Sequence, residues 1–375
     1  MHLNGCSANN YETARIFLVS DVLLTGRGMT PDELAHYHEH GWVIARDILT
    51  DADFAHFERD YSALVAAKAD ELLARGEISD AAADADFAHR LQRVAAQCSD
   101  EVLRGELGEW GLCLDTMYAL QRGCFELFFS ERLLATIEQV VGPEITLNPI
   151  QHCRPYLPAR GGTHAASGAA SLTPWHQDQG VTREEADASE ILTCWLPLVD
   201  VTAATGCLQV LPDRVAGGLL NHVKSDYGTT IDPALLPPGT AGVDCEMRRG
   251  DLLLMNRFTP HRGQLNTTDV VRWSLDLRFQ KTGTPTGRHF WPAFVLRSAA
   301  APGSVQDDYG EWCERWRRDL EASKVRAPVL VNATLLRALS NTNASVPRIL
   351  RASYLAHSPA RELPRVSAGT GYPET

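Results

Sequence analysis

Residues 173–180, with the sequence TPWHQDQG, indicate the fold and chemistry of this chain more directly than any other stretch. They place His176 two residues before Asp178, and residues i and i+2 of a strand point to the same face. Both side chains can therefore hold one metal ion. A second histidine, His261, follows 83 residues after Asp178. Two imidazoles and one carboxylate suit iron(II) and leave coordination positions open.

An arginine lies on the segment that follows His261. Arg272 comes eleven residues later, inside VVRWSLDLRF at residues 270–279, where the alternation of apolar and polar residues predicts a strand. A guanidinium fork near an open iron site suits a cosubstrate with two carboxylates. The alternative interpretation of an isolated HxD pattern is a polar surface turn. The turn and apolar run GDLLLMN at residues 250–256, just before His261, favour the metal site.

Five motifs occur in one order along the chain: HGWVIARDILTDADF (40–54), TPWHQDQG (173–180), TCWLPLVDVTAATGCLQVLPDR (193–214), RRGDLLLMN (248–256) and PHRGQLNTTDVVRWSLDLRF (260–279). In these motifs the chain resembles the phytanoyl-CoA dioxygenase family of Fe(II)/2-oxoglutarate-dependent oxygenases, over about residues 30–295. The resemblance implies an α+β fold. Its core would be a double-stranded β-helix, a jelly roll of the cupin type, with flanking N-terminal helices.

The resemblance also implies a reaction. His176, Asp178 and His261 would be the catalytic iron ligands, and Arg272 would pair with the distal carboxylate of 2-oxoglutarate. Fe(II), 2-oxoglutarate and O2 are the implied cofactor and cosubstrates. The implied activity is hydroxylation of an unactivated C–H bond in a secondary metabolite, an amino-acid derivative or an acyl-type compound, with release of succinate and CO2. Desaturation, epoxidation and cyclisation use the same ligands and stay open.

Three further residues are candidates for cosubstrate binding through the resemblance. Trp195 matches a family tryptophan on the strand beside the cosubstrate. Arg154, in HCRPYLP at residues 152–158, occupies a position where the family often has lysine. The family often has serine two residues after the distal histidine, whereas this chain has Gly263 and then Gln264. Gln264 is therefore the candidate for that secondary contact.

Two other classes of function stay open. One is another metal-dependent jelly-roll enzyme of the cupin type, which would need no arginine for a dicarboxylate. The other is a binding module that has kept the fold without catalysis. An intact His176, Asp178, His261 set together with Arg272 favours the oxygenase over both.

The composition and net charge of the chain indicate which classes of binding partner to expect. The chain has 375 residues, is 44% hydrophobic and 22% charged, and carries a formal net charge of −12. This charge disfavours nucleic acid and anionic membranes as partners, so we expect a small-molecule substrate and a monomer or homodimer. No stretch approaches the ~20 apolar residues of a membrane span. The nine cysteines form no C-x-x-C pair, which predicts reduced thiols and a cytoplasmic location.

The organisation of the chain follows from its helix and turn patterns. We expect an N-terminal extension at residues 1–28 that is poorly ordered, one oxygenase domain at 29–341, and a loosely ordered tail at 342–375. Within the domain we expect a helical part at about 29–143, the jelly-roll core at about 144–295 and C-terminal helices at about 296–341. The predicted helices are 31–40, 50–74, roughly 84–103, 111–122 and 130–141, with a strand at 42–46.

Overall fold

A computed structural model gives the structure of this protein, and it describes residues 28–159, 173–212, 217–225, 228–236 and 239–326. The predicted extension up to residue 27 and the predicted tail at 342–375 lie outside these residues. The division into one domain with those boundaries therefore stays a prediction. Within the described residues, no helix is long and apolar enough to cross a membrane.

Most of the α-helices lie in the N-terminal part of the described chain, and one follows the last strand. The α-helices are α1 Pro31–His40, α2 Asp51–Ala74, α3 Arg90–Gln97, α4 Asp100–Val102, α5 Gly108–Cys113, α6 Thr116–Ala119, α7 Arg122–Phe128, α8 Glu131–Val141 and α9 Tyr309–Arg326. A π-helical turn at Leu103–Leu107 joins α4 to α5. Short 3-10 helices lie at Asp178–Val181, Glu184–Ala186, Pro233–Leu235 and Pro302–Ser304.

Helix α1 begins and ends where the sequence predicts. The Thr30 side chain accepts the Glu33 backbone N–H, while the Glu33 carboxylate accepts the Thr30 N–H at 2.8 Å. This reciprocal pair satisfies donors that the first turn leaves unbonded. Gly41 ends the helix in the left-handed conformation, with φ of 77°, which glycine adopts without steric cost.

The bounds predicted for two other helices are wrong. Roughly 84–103 contains a break where α3 ends and Ser99 caps the next helix, because a serine hydroxyl competes for backbone donors. The predicted helix 111–122 is interrupted at Asp115. Its buried carboxylate accepts the Cys153 N–H at 3.0 Å, and Leu120 then takes a positive φ of 47°. A contact across the fold therefore overrides the local helical preference.

The strands form antiparallel sheets that face each other. They are β1 Trp42–Ala45, β2 Glu144–Leu147, β3 His152–Tyr156, β4 Leu192–Pro197, β5 Gln209–Val210, β6 His222–Ser225, β7 Gly228–Ile231, β8 Val243–Asp244, β9 Leu252–Asn256, β10 His261–Arg262, β11 Arg272–Lys281 and β12 Phe294–Ser298. The large sheet has the order β1-β9-β4-β11-β2-β12, and β3 also pairs with β11. The small sheet has the order β10-β5-β8, and β6 pairs with β7. The predicted α+β fold with a double-stranded β-helix core is confirmed.

The long strand β11 separates the hydrophobic core from the site. On the face of β11 that points away from the site, the side chains are fully buried; they are Trp273, Leu275, Leu277 and Phe279. The Trp273 ring stacks on Phe87 with centroids 4.7 Å apart. Its inward residues are polar; they are Arg272, Ser274, Asp276, Arg278 and Gln280. Because side chains alternate along a strand, one strand holds the core on one face and supplies charged groups to the interior of the jelly roll on the other.

Candidate metal centre

The two histidines of the candidate site face each other across a β-bridge. His176 donates its backbone N–H to the His261 carbonyl at 3.0 Å, and His261 donates in return at 2.9 Å. Their ring centroids lie 4.1 Å apart. Asp178 Oδ1 lies 3.7 Å from His176 Nε2 and 3.9 Å from His261 Nε2. The structure therefore brings the three predicted ligands together, with their ligand atoms within 4.8 Å of one another.

The local backbone differs from the expected single strand. Gln177 is extended, with φ of −113° and ψ of 139°, but Asp178 is the first residue of a 3-10 helix. One extended residue between them is enough to present His176 and Asp178 on the same side. The Gln177 side chain points away and donates to the carbonyls of Gly218 at 2.8 Å and Phe258 at 2.7 Å.

Hydrogen bonds set the tautomer of both histidines. His176 Nδ1 lies 2.9 Å from the Pro174 carbonyl oxygen, and His261 Nδ1 lies 3.0 Å from the Thr259 carbonyl oxygen. A carbonyl only accepts, so each Nδ1 carries the proton and each Nε2 offers a lone pair. Such backbone partners orient histidines that ligate metals.

Electrostatics keep the three groups in the protonation states that a metal needs. Burial, and then the proximity of His261, lowers the pKa of His176 to about 4. Burial also lowers the pKa of His261, although Asp178 opposes that shift. Burial raises the pKa of Asp178, but the Arg278 guanidinium outweighs it and holds that pKa well below its usual range. Two neutral imidazoles and one carboxylate fit iron(II).

We expect the stability of the metal-free protein to fall on acidification. The pKa of His176 is 6.5 in an ordinary environment and about 4 in the fold, so between these values only the unfolded chain binds the proton. The free energy of unfolding therefore decreases as the pH falls from about 6.5 to about 4, by about 1.4 kcal/mol per pH unit for one proton. The lowered pKa of His261 acts in the same direction.

Urea denaturation at about pH 7 and about pH 5 measures this effect. A His176→Gln variant cannot take up the proton, so its stability should change less between the two conditions. Equal changes in the wild type and the variant would contradict the assignment.

A buried histidine that was not predicted from the sequence holds the backbone between His176 and Asp178. His222 Nε2 accepts the backbone N–H of Gln177 at 3.0 Å, and its Nδ1 lies 2.8 Å from the Leu220 carbonyl. Gly180 makes room for this ring, since a Cβ there would lie 2.3 Å from His222 Cε1. His222 lies on β6, 44 residues after Asp178, and no sequence pattern linked it to the site.

Arg278 and Thr193 also contact the candidate centre and were missed. Arg278 Nη2 donates to Asp178 Oδ1 at 2.9 Å and Oδ2 at 3.1 Å, and Thr193 Oγ1 donates to Oδ2. The alternating pattern of β11 could have indicated Arg278, because it shares the inward face of Arg272. Thr193 could not be found in this way without the pairing of β4 with β11.

Arg272 is a buried cation next to aromatic rings. Its side-chain carbon Cζ lies 4.2 Å from the centroid of the Tyr156 ring and 5.5 Å from that of Trp195. It is 5% exposed, its Nη1 donates to Ser274 Oγ at 3.4 Å, and its Nε has no hydrogen-bond partner. Among the described residues it forms no ion pair with a carboxylate. Burial lowers the pKa of this guanidinium, as expected for a charge that lacks a counterion.

The remaining sequence candidates are Trp195, Arg154 and Gln264. The Trp195 ring lies beside Arg272. Arg154 lies on β3, opposite Ser274 of β11, and its Nη1 lies 3.4 Å from Asp115 Oδ2. Gln264 Nε2 donates to Asp244 Oδ1 at 2.9 Å and to the Cys207 carbonyl at 3.2 Å.

ThoJ, SnoN and EvdO2 are among the solved structures that are similar to this chain. The non-heme monooxygenase ThoJ in its apo form has a TM-score of 0.50 at 15% identity, and the match covers 82% of this chain and 98% of that one. The epimerase SnoN, in complex with Fe3+, alpha ketoglutarate and nogalamycin RO, has a TM-score of 0.44 at 21% identity, with coverage of 69% and 87%. EvdO2 from Micromonospora carbonacea var. aurantiaca has a TM-score of 0.46 at 18% identity, with coverage of 75% and 98%.

Sequence comparison identifies the family. No curated protein matches the chain. The model of the phytanoyl-CoA dioxygenase (PhyH) family, in contrast, matches residues 37–274, which is more than half of the 375 residues. The predicted family is confirmed: the chain belongs to the phytanoyl-CoA dioxygenase family and is an oxygenase-type enzyme that uses Fe(II), 2-oxoglutarate and O2.

Proposed function

We propose that this enzyme hydroxylates an unactivated C–H bond of a small molecule and converts 2-oxoglutarate to succinate and CO2. The substrate would be a secondary metabolite, an amino-acid derivative or an acyl-type compound. His176, Asp178 and His261 would hold the iron, and Arg272 would hold the distal carboxylate of 2-oxoglutarate. Support comes from the family and from the ligand set with its neutral imidazoles and ionised carboxylate.

The observation that carries the proposal is the charge of Arg272, which has no carboxylate partner in the part of the chain that the structure describes. A buried guanidinium without a carboxylate is costly, because its desolvation is not offset by an opposite charge. Arg272 lies on the inward face of β11, the same face as Arg278, which contacts the ligand Asp178. A dianion that reaches from the metal to this cation would supply the missing partner. A metal-dependent enzyme without such a cosubstrate has no need for this arrangement.

The residues around Arg272 would orient the cosubstrate. The rings of Tyr156 and Trp195 both pack against the guanidinium and would limit the rotation of its planar fork. Arg154 would add a positively charged group one strand away, which is itself paired with Asp115. Gln264 would help to shape the site through its hydrogen bond to Cys207, two residues before β5.

The bound iron, 2-oxoglutarate and O2 would have one role in the reaction, and the protein chain would have another. Iron with 2-oxoglutarate and O2 supplies the oxidising power when bound, and the protein supplies binding, orientation and exclusion of side reactions. Three protein donors leave coordination positions open. The carbonyls of Pro174 and Thr259 keep both Nε2 lone pairs directed at the metal position. Desaturation, epoxidation and cyclisation would need the same residues, so the substrate decides among them.

We expect oxygen-dependent release of succinate from 2-oxoglutarate by the iron-loaded enzyme, with a faster rate when a true substrate is added. Succinate is quantified with and without O2, and iron in buffer is the control. Absence of succinate above that control would support the non-catalytic alternative. Metal-dependent O2 uptake that does not need 2-oxoglutarate would support a cupin-type enzyme of another class.

We also propose that the enzyme acts in the cytoplasm as a monomer or homodimer, without nucleic-acid or membrane partners. The eight described cysteines form no disulfide, which is typical of a reducing compartment. The net charge of −12 disfavours polyanionic partners.

A further inference from the structure

The two oxygens of the Asp178 carboxylate have unequal surroundings. Oδ2 accepts hydrogen bonds from Thr193 Oγ1, from Arg278 Nη2 at 3.1 Å and from Arg278 Nε at 3.3 Å. Oδ1 accepts one, from Arg278 Nη2 at 2.9 Å. Oδ1 is also the oxygen that lies 3.7 Å and 3.9 Å from the two histidine Nε2 atoms. Oδ1 therefore faces the metal position with one protein hydrogen bond, whereas Oδ2 has three.

The group that holds Oδ2 is itself fixed in place. Arg278 is 5% exposed and lies directly opposite Thr193 in the pairing of β11 with β4. Its Nη1 lies 2.9 Å from Asp276 Oδ1 on the same face of β11. Asp178 comes from the 3-10 helix that follows His176. The pairing of two strands, together with a second carboxylate, therefore sets the position of the guanidinium that grips the ligand.

We propose that Arg278 is a positioning residue that makes Asp178 bind the metal through Oδ1 alone. This inference rests on the proposed function, because it concerns how the site stays open for 2-oxoglutarate. Binding through both oxygens would take one more coordination position, and the metal would then compete for Oδ2 with the donors of Thr193 and Arg278 Nε. Charge-assisted forks on a carboxylate are strong and directional, so this arrangement opposes a rotation of the carboxylate toward the metal.

If Arg278 acts in this way, the Arg278→Gln variant should lose affinity for 2-oxoglutarate but not for Fe(II). Without the fork, Oδ2 is free to reach the metal, so affinity for Fe(II) stays within about threefold of wild type or rises. Affinity for 2-oxoglutarate falls by at least about tenfold, equivalent to about 1.4 kcal/mol, because the second oxygen of Asp178 would occupy a position that 2-oxoglutarate needs. Both affinities are measured without O2: Fe(II) by equilibrium dialysis, and 2-oxoglutarate from the metal-to-ligand charge-transfer absorption.

A matched control is Arg257→Gln. Arg257 is also a buried arginine, and it donates to the carbonyls of Asp187 and Ser189 and pairs with Glu190 without touching the three ligands. It should leave both affinities at wild-type values. Parallel loss of Fe(II) and 2-oxoglutarate binding in Arg278→Gln would indicate a merely structural role and would overturn the inference, as would unchanged 2-oxoglutarate affinity.

Thr193→Val provides the second test and decides the matter if Arg278→Gln does not fold. It removes one donor from Oδ2 at nearly the same side-chain shape, so the same separation is expected with a smaller factor, about threefold in 2-oxoglutarate affinity. Equal affinities in Thr193→Val and wild type would count against the inference. If the wild type itself shows no charge-transfer absorption with 2-oxoglutarate, the proposed function fails instead.

Discussion

His176→Ala, Asp178→Ala and His261→Ala each abolish turnover and lower the affinity for Fe(II) by more than about tenfold, which exceeds the smaller effects of changing a ligand's neighbours. The reason is that each variant removes one of three donor atoms that lie within 4.8 Å of one another. Equilibrium dialysis of the metal without O2 measures the affinity. His289→Ala, which removes an imidazole paired with Glu185 on the surface, is the control and should bind iron normally.

The three variants should differ in stability. The histidines bond only to backbone carbonyls through Nδ1, so their loss leaves no charge unpaired. Asp178→Ala leaves the buried Arg278 without its main acceptor, and breaking a buried pair in this way costs roughly 3–5 kcal/mol. Urea denaturation of the metal-free proteins compares them. A ligand variant that keeps wild-type iron affinity would remove that residue from the centre, and equal stability of all three would contradict the assigned role of the Arg278 pair.

Arg272→Ala raises the concentration of 2-oxoglutarate needed for half-saturation by about two to three orders of magnitude while iron binding is retained. The buried guanidinium has no carboxylate partner among the described residues and makes one weak bond, to Ser274. Removing one member of a buried charge pair costs roughly 3–5 kcal/mol, and about 1.4 kcal/mol corresponds to a tenfold change in affinity. Titration of 2-oxoglutarate into the oxygen-free iron enzyme, followed by its charge-transfer absorption, gives the affinity.

Replacement of Arg272 by lysine provides a second test of its role. Arg272→Lys should recover only part of the affinity, because an ammonium group lacks the planar fork and packs less well between Tyr156 and Trp195. Arg297→Ala removes a more exposed arginine that pairs with Glu131 and Glu138, and it should leave the titration unchanged. A shift below about fivefold in Arg272→Ala is the size expected of a surface ion pair, and it would exclude Arg272 as the partner of the cosubstrate.

The sequence by itself determined the family, the class of fold and the candidate ligands. His176 and Asp178 are two residues apart, so any extended backbone at Gln177 presents them together. The motifs around His261 and Arg272 place both on strands of the same core. Helix α1 was also predictable, because its capping box and terminal glycine are local. These features depend on a few neighbouring residues, and local backbone preferences are enough to specify them.

Only the tertiary structure decided how the ligands are held. Arg278 reaches Asp178 across 100 positions of sequence, because the register of β11 against β4 brings Thr193 and Arg278 side by side. His222 supports Gln177 across 45 positions. Asp115 interrupts a predicted helix in order to bond the backbone of β3. In each case a buried polar group finds its partner on a distant strand, and strand register and burial, which no local pattern encodes, select that partner.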